Sequence, residues 1–254
     1  RLEARSSGLI ITAIVLAGVV AVSAFGNLSY FGVIKVPRLG WDLLGPGLLV
    51  AAVCGAAGGL FARLMASSLT GAPDRFNRWR ARRPVAFAAG CGLAVALIGL
   101  ASNGATFGSG SESVKEMLSG EHELPPLYAT LKFLSTWITA WSGVPGGIFA
   151  PSLSVGAGLG HAVAGIAPAD LAPALIAMGM AGFLAAVTQA PLTAFIIVME
   201  MVDGHSMVLS LMASAMLASL VSRMISRPLY ETLAEHMVAT AVSSHKPVED
   251  VPER

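Results

Sequence analysis

The sequence predicts an all-α integral membrane protein of about ten helical segments, several of them too short to cross a bilayer. Hydrophobic residues make up 55% of the 254 residues and charged residues only 12%, whereas a soluble domain carries about 25% charged residues. The mean hydropathy is +0.72. Glycine and proline interrupt many of the apolar runs, and helices broken in this way are typical of membrane proteins with a binding site inside the bilayer.

The apolar runs and the residues that flank them set the expected helix boundaries. The first run, residues 8–25, is just long enough to span a bilayer. Pro46 and Pro191 stand early in their helices, where a missing N–H costs nothing. We expect one transmembrane unit over residues 1–242, followed by a polar, disordered tail at 243–254. Its helices are predicted at about residues 8–25, 43–69, 84–101, 111–118, 127–141, 147–164, 171–187, 191–202, 206–225 and 228–241.

Small residues within these runs indicate close helix packing. Gly55 and Gly59 have the GxxxG spacing that lets two helices approach closely in lipid. Gly179 and Gly182 are expected to act as contact points in a later helix. Cys54 and Cys91 lie in apolar runs, so we interpret both as buried small hydrophobic residues and not as a disulfide or a metal site.

A cluster of arginines separates the second and third predicted spans. It contains Arg75, Arg78, Arg80, Arg82 and Arg83, together with Phe76 and Trp79. A short basic connection of this kind is typical of a cytoplasmic loop with interfacial aromatic residues. We therefore expect the chain start, this loop and the tail after Tyr230 on the cytoplasmic side, and residues 121–123 outside. The net charge of only +1 gives nucleic-acid binding no electrostatic support.

Isolated polar residues within apolar segments have two interpretations each. Lys132 is either functional or snorkels from near its helix start, and we favour snorkelling. His161 is expected to be structural and not a proton relay. Glu200 is expected to accept hydrogen bonds that tie helices together. Glu121, His122 and Glu123 fit a solvated outer loop better than a metal site, because rigid ligand spacing is missing.

The loop before residue 148 is the main candidate for a binding site. Ser142, Gly143 and Pro145 cannot continue a helix, and a small-residue apolar helix follows from about Gly147. A helix start exposes unpaired N–H groups and the positive end of the helix dipole, which together suit an anion. The sequence has no aspartate or glutamate between Glu123 and Asp170 to compete for these donors.

Four short motifs in order carry a resemblance to a known family. The segment GGIFAP at 146–151 resembles the GxFxP signature of the CLC chloride channels and chloride/proton antiporters. The further matches are QAPLT at 189–193, VMEM at 198–201 and RPLY at 227–230. The resemblance covers nearly the whole chain, but only the second half of the family's transmembrane unit.

The resemblance implies a specific anion site and assembly. Two inverted halves form one pore in this family, and two pores pair in a dimer. The anion-binding residues carried over by the motifs are Gly147, Ile148, Phe149, Ala150 and Tyr230. The N–H groups of Ile148 and Phe149 would bind the central anion, and the Tyr230 hydroxyl would donate to it. Helices at 10–25 and 192–222 would form a homodimer interface within a bilayer, in a bacterial inner or plasma membrane.

The sequence departs from the family by lacking the motifs of the first half. It contains neither a GSGIP-type loop nor a GxEGP-type loop with a gating glutamate. We therefore expect the chain to be truncated or completed by a partner that carries the N-terminal half. Because the deciding glutamates belong to that half, a voltage-gated-type channel and an antiporter both stay open, as do chloride, nitrate and fluoride as the anion.

Two other function classes remain as alternatives. One is a non-conducting membrane assembly subunit that uses its glycine-rich faces for partner helices. The other is an intramembrane serine hydrolase, in which Ser109 or Ser111 would need contact with His161. No catalytic motif supports it, so we expect no enzyme, no metal and no cofactor, with the anion itself as substrate.

Overall fold

The computed structural model describes residues 2–26, 30–34, 40–70, 75–120, 124–125 and 127–244. Within these ranges the chain folds into eleven α-helices and has no strand, which confirms the all-α prediction. The helices are α1 (Leu2–Phe25), α2 (Leu44–Leu69), α3 (Arg75–Arg82), α4 (Pro84–Ala101), α5 (Ser111–Ser119), α6 (Tyr128–Trp141), α7 (Phe149–Ala164), α8 (Ala172–Thr188), α9 (Pro191–Met201), α10 (Val208–Arg223) and α11 (Leu229–Ser244). Short 3₁₀ turns precede α2, α8 and α10, at Trp41–Leu43, Ala169–Leu171 and His205–Met207.

The helix boundaries differ from the predicted ones in three informative places. The arginine cluster forms helix α3, whereas the sequence led us to expect a loop. Helix α7 begins at Phe149 and not at Gly147. Ile148 is its N-cap, and Gly147 lies in the loop before it. Helix α11 continues to Ser244, into the predicted tail. The rest of that tail, residues 245–254, lies outside the described residues.

Five helical segments are long and apolar enough to cross a membrane. They are Ser7–Phe25, Trp41–Leu69, Pro84–Ala101, Ala169–Thr188 and His205–Arg223. The α9 helix, Pro191–Met201, is apolar but shorter. The protein is therefore an integral membrane protein that combines full spans with helices too short to cross the bilayer alone.

Helix α8 is the centre of the fold. Every side chain from Ala174 to Val187 is buried, because α2, α7, α9 and α10 all pack around it. Its contact with α7 brings two backbones together: an added Cβ on Gly156 would collide with the Gly179 carbonyl oxygen, and one on Gly179 with the Gly156 carbonyl oxygen. Only glycine permits this approach, which confirms Gly179 as a contact point.

Helices α2 and α10 also pack through a glycine that lies against the backbone of the other helix. Serine hydroxyl groups of α10 add hydrogen bonds to α8. An added Cβ on Gly55 would lie 2.8 Å from the Ala218 carbonyl oxygen, so the predicted packing face on α2 is confirmed. Ser214 Oγ donates to the Met178 carbonyl at 2.9 Å. Ser222 Oγ donates to the Ala186 carbonyl at 2.5 Å. These bonds fix α10 against α8 without exposing polar groups to lipid.

Helix α1 lies outside this packed core. All of its side chains described from Ser7 to Phe25 are exposed. The segment that follows is fastened to the end of α9, because the Phe31 and Ile34 N–H groups donate to the Met201 and Val202 carbonyls at 2.8 and 3.1 Å. A span that has no buried side chain in the chain itself presents its apolar surface to lipid or to another subunit.

Candidate functional site

The start of helix α7 is an uncapped helix N-terminus. Gly143 has a φ of +85°, which turns the chain out of α6 and which a residue with a side chain rarely adopts. Residues 144–147 then lead to the N-cap Ile148, whose side chain makes no capping bond. Among the described residues, no hydrogen bond satisfies the N–H groups of Ile148, Phe149 or Ala150. These donors and the helix dipole therefore stay available to an anion.

This helix start opens into a cavity of about 500 Å³. Its lining combines small, hydroxyl-bearing and apolar residues from α6, the loop before α7 and the first turn of α7. The lining residues are Gly108, Ser109, Lys132, Ser135, Thr136, Thr139, Ala140, Val144, Gly146, Gly147, Ile148, Phe149, Ala150 and Pro151. No carboxylate is among them, so no described side chain of the lining repels an anion.

Lys132 places a positive charge in the wall of the same cavity. Its side chain is only 1% exposed, so the prediction that it snorkels to the membrane surface is wrong. Lys132 Nζ instead donates to the Thr106 carbonyl at 2.9 Å and to the Gly108 carbonyl at 2.8 Å. The loop between α4 and α5 holds the ammonium inside the protein, because its carbonyls replace the water that snorkelling would have provided.

The charges around the cavity therefore have one sign. Among the described residues, Lys132 forms no ion pair with a carboxylate. The buried ammonium of Lys132 and the positive end of the α7 dipole act on the same cavity, and burial strengthens the interactions of a charge relative to those in water. A small anion is the ligand class that this combination of donors attracts.

The structure brings four of the five predicted anion-binding residues together. Gly147, Ile148, Phe149 and Ala150 all line the cavity. Tyr230 is not among the lining residues, and its half-exposed ring stands in the first turn of α11. Their roles toward an anion stay predictions.

The other candidate residues have contacts of their own. Ser109 Oγ lies 2.6 Å from Ser111 Oγ, which in turn lies 3.1 Å from the Tyr30 hydroxyl. In the described part of the chain, no hydrogen bond joins either serine to His161. The contact that a serine hydrolase would need is thus not observed there.

The remaining titratable residues contribute little to the cavity. His161 Nδ1 is buried without a hydrogen-bond partner among the described residues. Glu200 is exposed, and its Oε1 lies 3.9 Å from His205 Nε2. Among the described residues this contact stands in place of the predicted interhelical hydrogen bonds. Cys54 and Cys91 are free and buried, as predicted. Residues 121–123 lie outside the described ranges.

The sequence did not predict that the Lys132 ammonium is buried and bound by backbone carbonyls. The signal available was a lysine one turn into an apolar helix, with a Gly/Ser-rich loop before the preceding short helix. Such a loop can turn carbonyls inward, but the sequence does not show that Thr106 and Gly108 do so.

Three comparisons place the chain among known proteins. The model of the family described as "Voltage gated chloride channel" matches residues 1–223. The H(+)/Cl(-) exchange transporter ClcA of Klebsiella pneumoniae is 34% identical over 116 residues, which is 42% of this chain and 24% of the relative. ClcA of Citrobacter koseri has the same identity and coverage.

Two solved structures share the fold. A CLC-type fluoride/proton antiporter matches with a TM-score of 0.66 at 20% identity, over 80% of this chain and 50% of the other. A eukaryotic CLC transporter matches with a TM-score of 0.58 at 23% identity, over 80% of this chain and 36% of the other. The chain therefore spans only part of the length of the proteins that it matches.

Proposed function

The chain belongs to the voltage-gated chloride channel family, and on this premise we propose that it helps to move chloride or a similar small anion across a bacterial plasma membrane. The observation that carries the proposal is the uncapped start of α7, which opens into a cavity lined by Lys132 and by no carboxylate. The anion would be the transported substrate. A channel and a chloride/proton antiporter are both compatible with this site.

The proposed ligands of the anion are backbone donors and one hydroxyl. The N–H groups of Ile148 and Phe149 would donate to it, with Gly147 and Ala150 shaping the approach. Tyr230 would donate from its phenolic hydroxyl. Two observations support the backbone part: no described group satisfies these N–H groups, and all four loop residues line the cavity. Backbone donors suit a transported ion, because they bind without a fixed full charge that would hold it too tightly.

The remaining ligands would come from an inverted N-terminal half. The chain matches 50% of the length of the fluoride/proton antiporter chain, and transporters built from inverted repeats bind their substrate between the two halves. The N-terminal half would supply another helix start and a gate. This assignment makes the chain one wall of the anion path.

We also propose a homodimer through α1, α9 and α10. Large apolar side chains on these helices face outward, among them Leu16, Ile196, Leu209 and Leu220. The fully exposed apolar side chains of α1 are available for the same association. In lipid such surfaces associate through close packing and not through the hydrophobic effect.

The anion site is tested by placing a negative charge in the cavity. Val144 lines the cavity and is exposed, so Val144→Glu is expected to fold. If the introduced carboxylate lay about 8 Å from the anion, the repulsion would be roughly 2 kcal/mol at an effective dielectric constant of 20, or about thirtyfold in affinity. Val144→Gln has nearly the same shape and is expected to keep most of the affinity. Equal chloride affinities for the two variants in calorimetric titration would contradict the site.

Transport itself is tested in liposomes. The chain reconstituted alone is expected to leave chloride efflux at background, since one helix start does not make a continuous polar path across about 30 Å of hydrocarbon. Co-reconstitution with a segment that carries the first-half loops is expected to restore efflux. Chloride-selective efflux from the chain alone would show that the path lies elsewhere.

A further inference from the structure

We propose that helix α3 carries a binding site for the phosphate headgroup of an anionic phospholipid, on the face formed by Arg75, Arg78 and Arg82. The proposal concerns a surface remote in sequence from the start of α7. It does not depend on the function proposed for the anion cavity.

The position of α3 in the chain points to the membrane boundary. It connects Trp41–Leu69 and Pro84–Ala101, both of which are long and apolar enough to span a bilayer. A short helix between two spans lies where they leave the hydrocarbon, at the depth of the lipid phosphates. This location favours a lipid over a soluble polyanion such as RNA.

The three arginines share one face of the helix. At 100° per residue, the side chains of Arg75, Arg78 and Arg82 fall within about 60° of one another. They extend along about 10 Å of the helix axis, at 1.5 Å per residue. All three are exposed. Guanidinium groups bind phosphate through paired N–H donors, so this row is suited to a phosphate headgroup.

The opposite face of α3 is fastened to the protein, and this fixes the direction of the arginine row. Asn77 Oδ1 accepts a hydrogen bond from Trp141 Nε1 at 3.1 Å. Arg80 Nη1 donates to the Ser68 carbonyl at 3.0 Å. The Phe76 ring packs edge-on against Trp141, with centroids 5.6 Å apart. The row is therefore preorganised, which lowers the entropic cost of binding.

Two arginines of this row have no carboxylate that balances their charge: Arg78 and Arg82 form no ion pair within the described residues. Between Asp42 and Glu112 the sequence contains one acid, Asp74, against six arginines. Trp79, nearly half exposed beside the row, is the kind of side chain that resides at the headgroup level. An anionic lipid would supply both the missing charge and the apolar surface.

The test measures lipid binding to the purified protein by native mass spectrometry. Phosphatidylglycerol is expected to bind at least tenfold more tightly than phosphatidylcholine. Each basic residue near an anionic lipid strengthens attraction several-fold, so R75Q/R78Q/R82Q is expected to lose on the order of a hundredfold. The single variants R78Q and R82Q are expected to lose several-fold each, and they keep the test decisive if the triple variant does not fold.

Two matched variants separate a site from general charge. R63Q/R223Q/R227Q removes the same charge from exposed arginines elsewhere in the chain and is expected to stay within about twofold of the wild type. R75K/R78K/R82K keeps the charge and is expected to retain most of the binding, but with a loss from the missing paired donors. Equal losses in the two glutamine triples, or no loss in R75Q/R78Q/R82Q, would overturn the proposal.

A competition experiment distinguishes a lipid headgroup from free phosphate as the ligand. Inorganic phosphate at millimolar concentration is expected not to displace bound phosphatidylglycerol. Displacement at that concentration would show that free phosphate is the ligand and would overturn the lipid assignment. Preferential binding of a short RNA over phosphatidylglycerol would overturn it as well.

Discussion

Lys132 Nζ lies 2.8 Å from the Gly108 carbonyl oxygen and joins the first turns of α6 to the loop that precedes α5. Together with the bond to the Thr106 carbonyl, it satisfies two backbone acceptors with one buried cation. The same ammonium lines the cavity at the start of α7. One side chain thus contributes both to the loop's structure and to the electrostatics of the candidate site.

Lys132→Met is expected to destabilise the protein. The methionine fills similar space, but it leaves the buried Thr106 carbonyl and the partly buried Gly108 carbonyl without their donor. Hydrogen bonds to a charged group contribute about 1.5–3 kcal/mol each, so we expect a net loss of about 2–4 kcal/mol after relief of the lysine's desolvation. Thermal or denaturant unfolding in detergent measures it.

The control for this change is Lys115→Met. Lys115 is exposed and forms a long ion pair with Glu112 at 3.7 Å, and such surface pairs are worth at most about 1 kcal/mol. Equal destabilisation by the two substitutions would show that the buried hydrogen bonds of Lys132 add no more to the free energy of unfolding than an exposed ion pair does.

Gly156→Ala is expected to loosen the contact between α7 and α8. The new methyl group would collide with the Gly179 carbonyl oxygen, and backbone cannot yield as a side chain can. Overpacking of this kind costs about 1–3 kcal/mol, measured as a fall in the unfolding midpoint of the purified protein.

Gly90→Ala is the matched control, because an added Cβ on this α4 residue meets nothing within 4 Å. Alanine is the better helix former by up to about 1 kcal/mol, so this variant is expected to be neutral or more stable. Similar effects at both glycines would contradict the packing argument.

The sequence was most informative where one property of a residue type decides the structure. Apolar length and proline position located α4 at residues 84–101, and GxxxG spacing identified the packing face of α2, although not α10 as the helix that it contacts. Motif order and the absence of carboxylates indicated that residues 147–150 form a site, and all four line one cavity.

The sequence was least informative where tertiary contacts decide. Helix α3 is held in place by Trp141, 64 residues away, which donates to Asn77, and by the Ser68 carbonyl at the end of α2, which accepts from Arg80. Lys132 points into the protein because its ammonium donates a hydrogen bond to the Gly108 carbonyl. Neither partner can be identified from local composition, since both contacts join segments that only the folded helices bring together.

The orientation of the protein in the membrane is tested by cysteine labelling. Arg82→Cys is expected to react with a membrane-impermeant maleimide only after cells are opened, because the arginine-rich side is expected to be cytoplasmic. His122→Cys is expected to react in intact cells. The native Cys54 and Cys91 are buried, so background labelling should be low. Equal labelling of both positions in intact cells would refute the orientation.

The role of Tyr230 is tested by removing its hydroxyl alone. Tyr230→Phe is expected to weaken chloride binding by about 1 kcal/mol, or roughly fivefold, because one hydrogen bond to the anion is lost. Tyr30→Phe removes another exposed phenolic hydroxyl, one that lies 3.1 Å from Ser111 Oγ, and is expected to leave chloride affinity unchanged. Calorimetric titration of chloride into the assembly of both halves compares the two variants with the wild type.

If Tyr230→Phe binds chloride like the wild type while Val144→Glu does not, the anion is held at the start of α7 without Tyr230. The resemblance of the RPLY segment would then reflect the fold of α11 and not a ligand, since a donor must lie within about 3 Å of an anion to bind it.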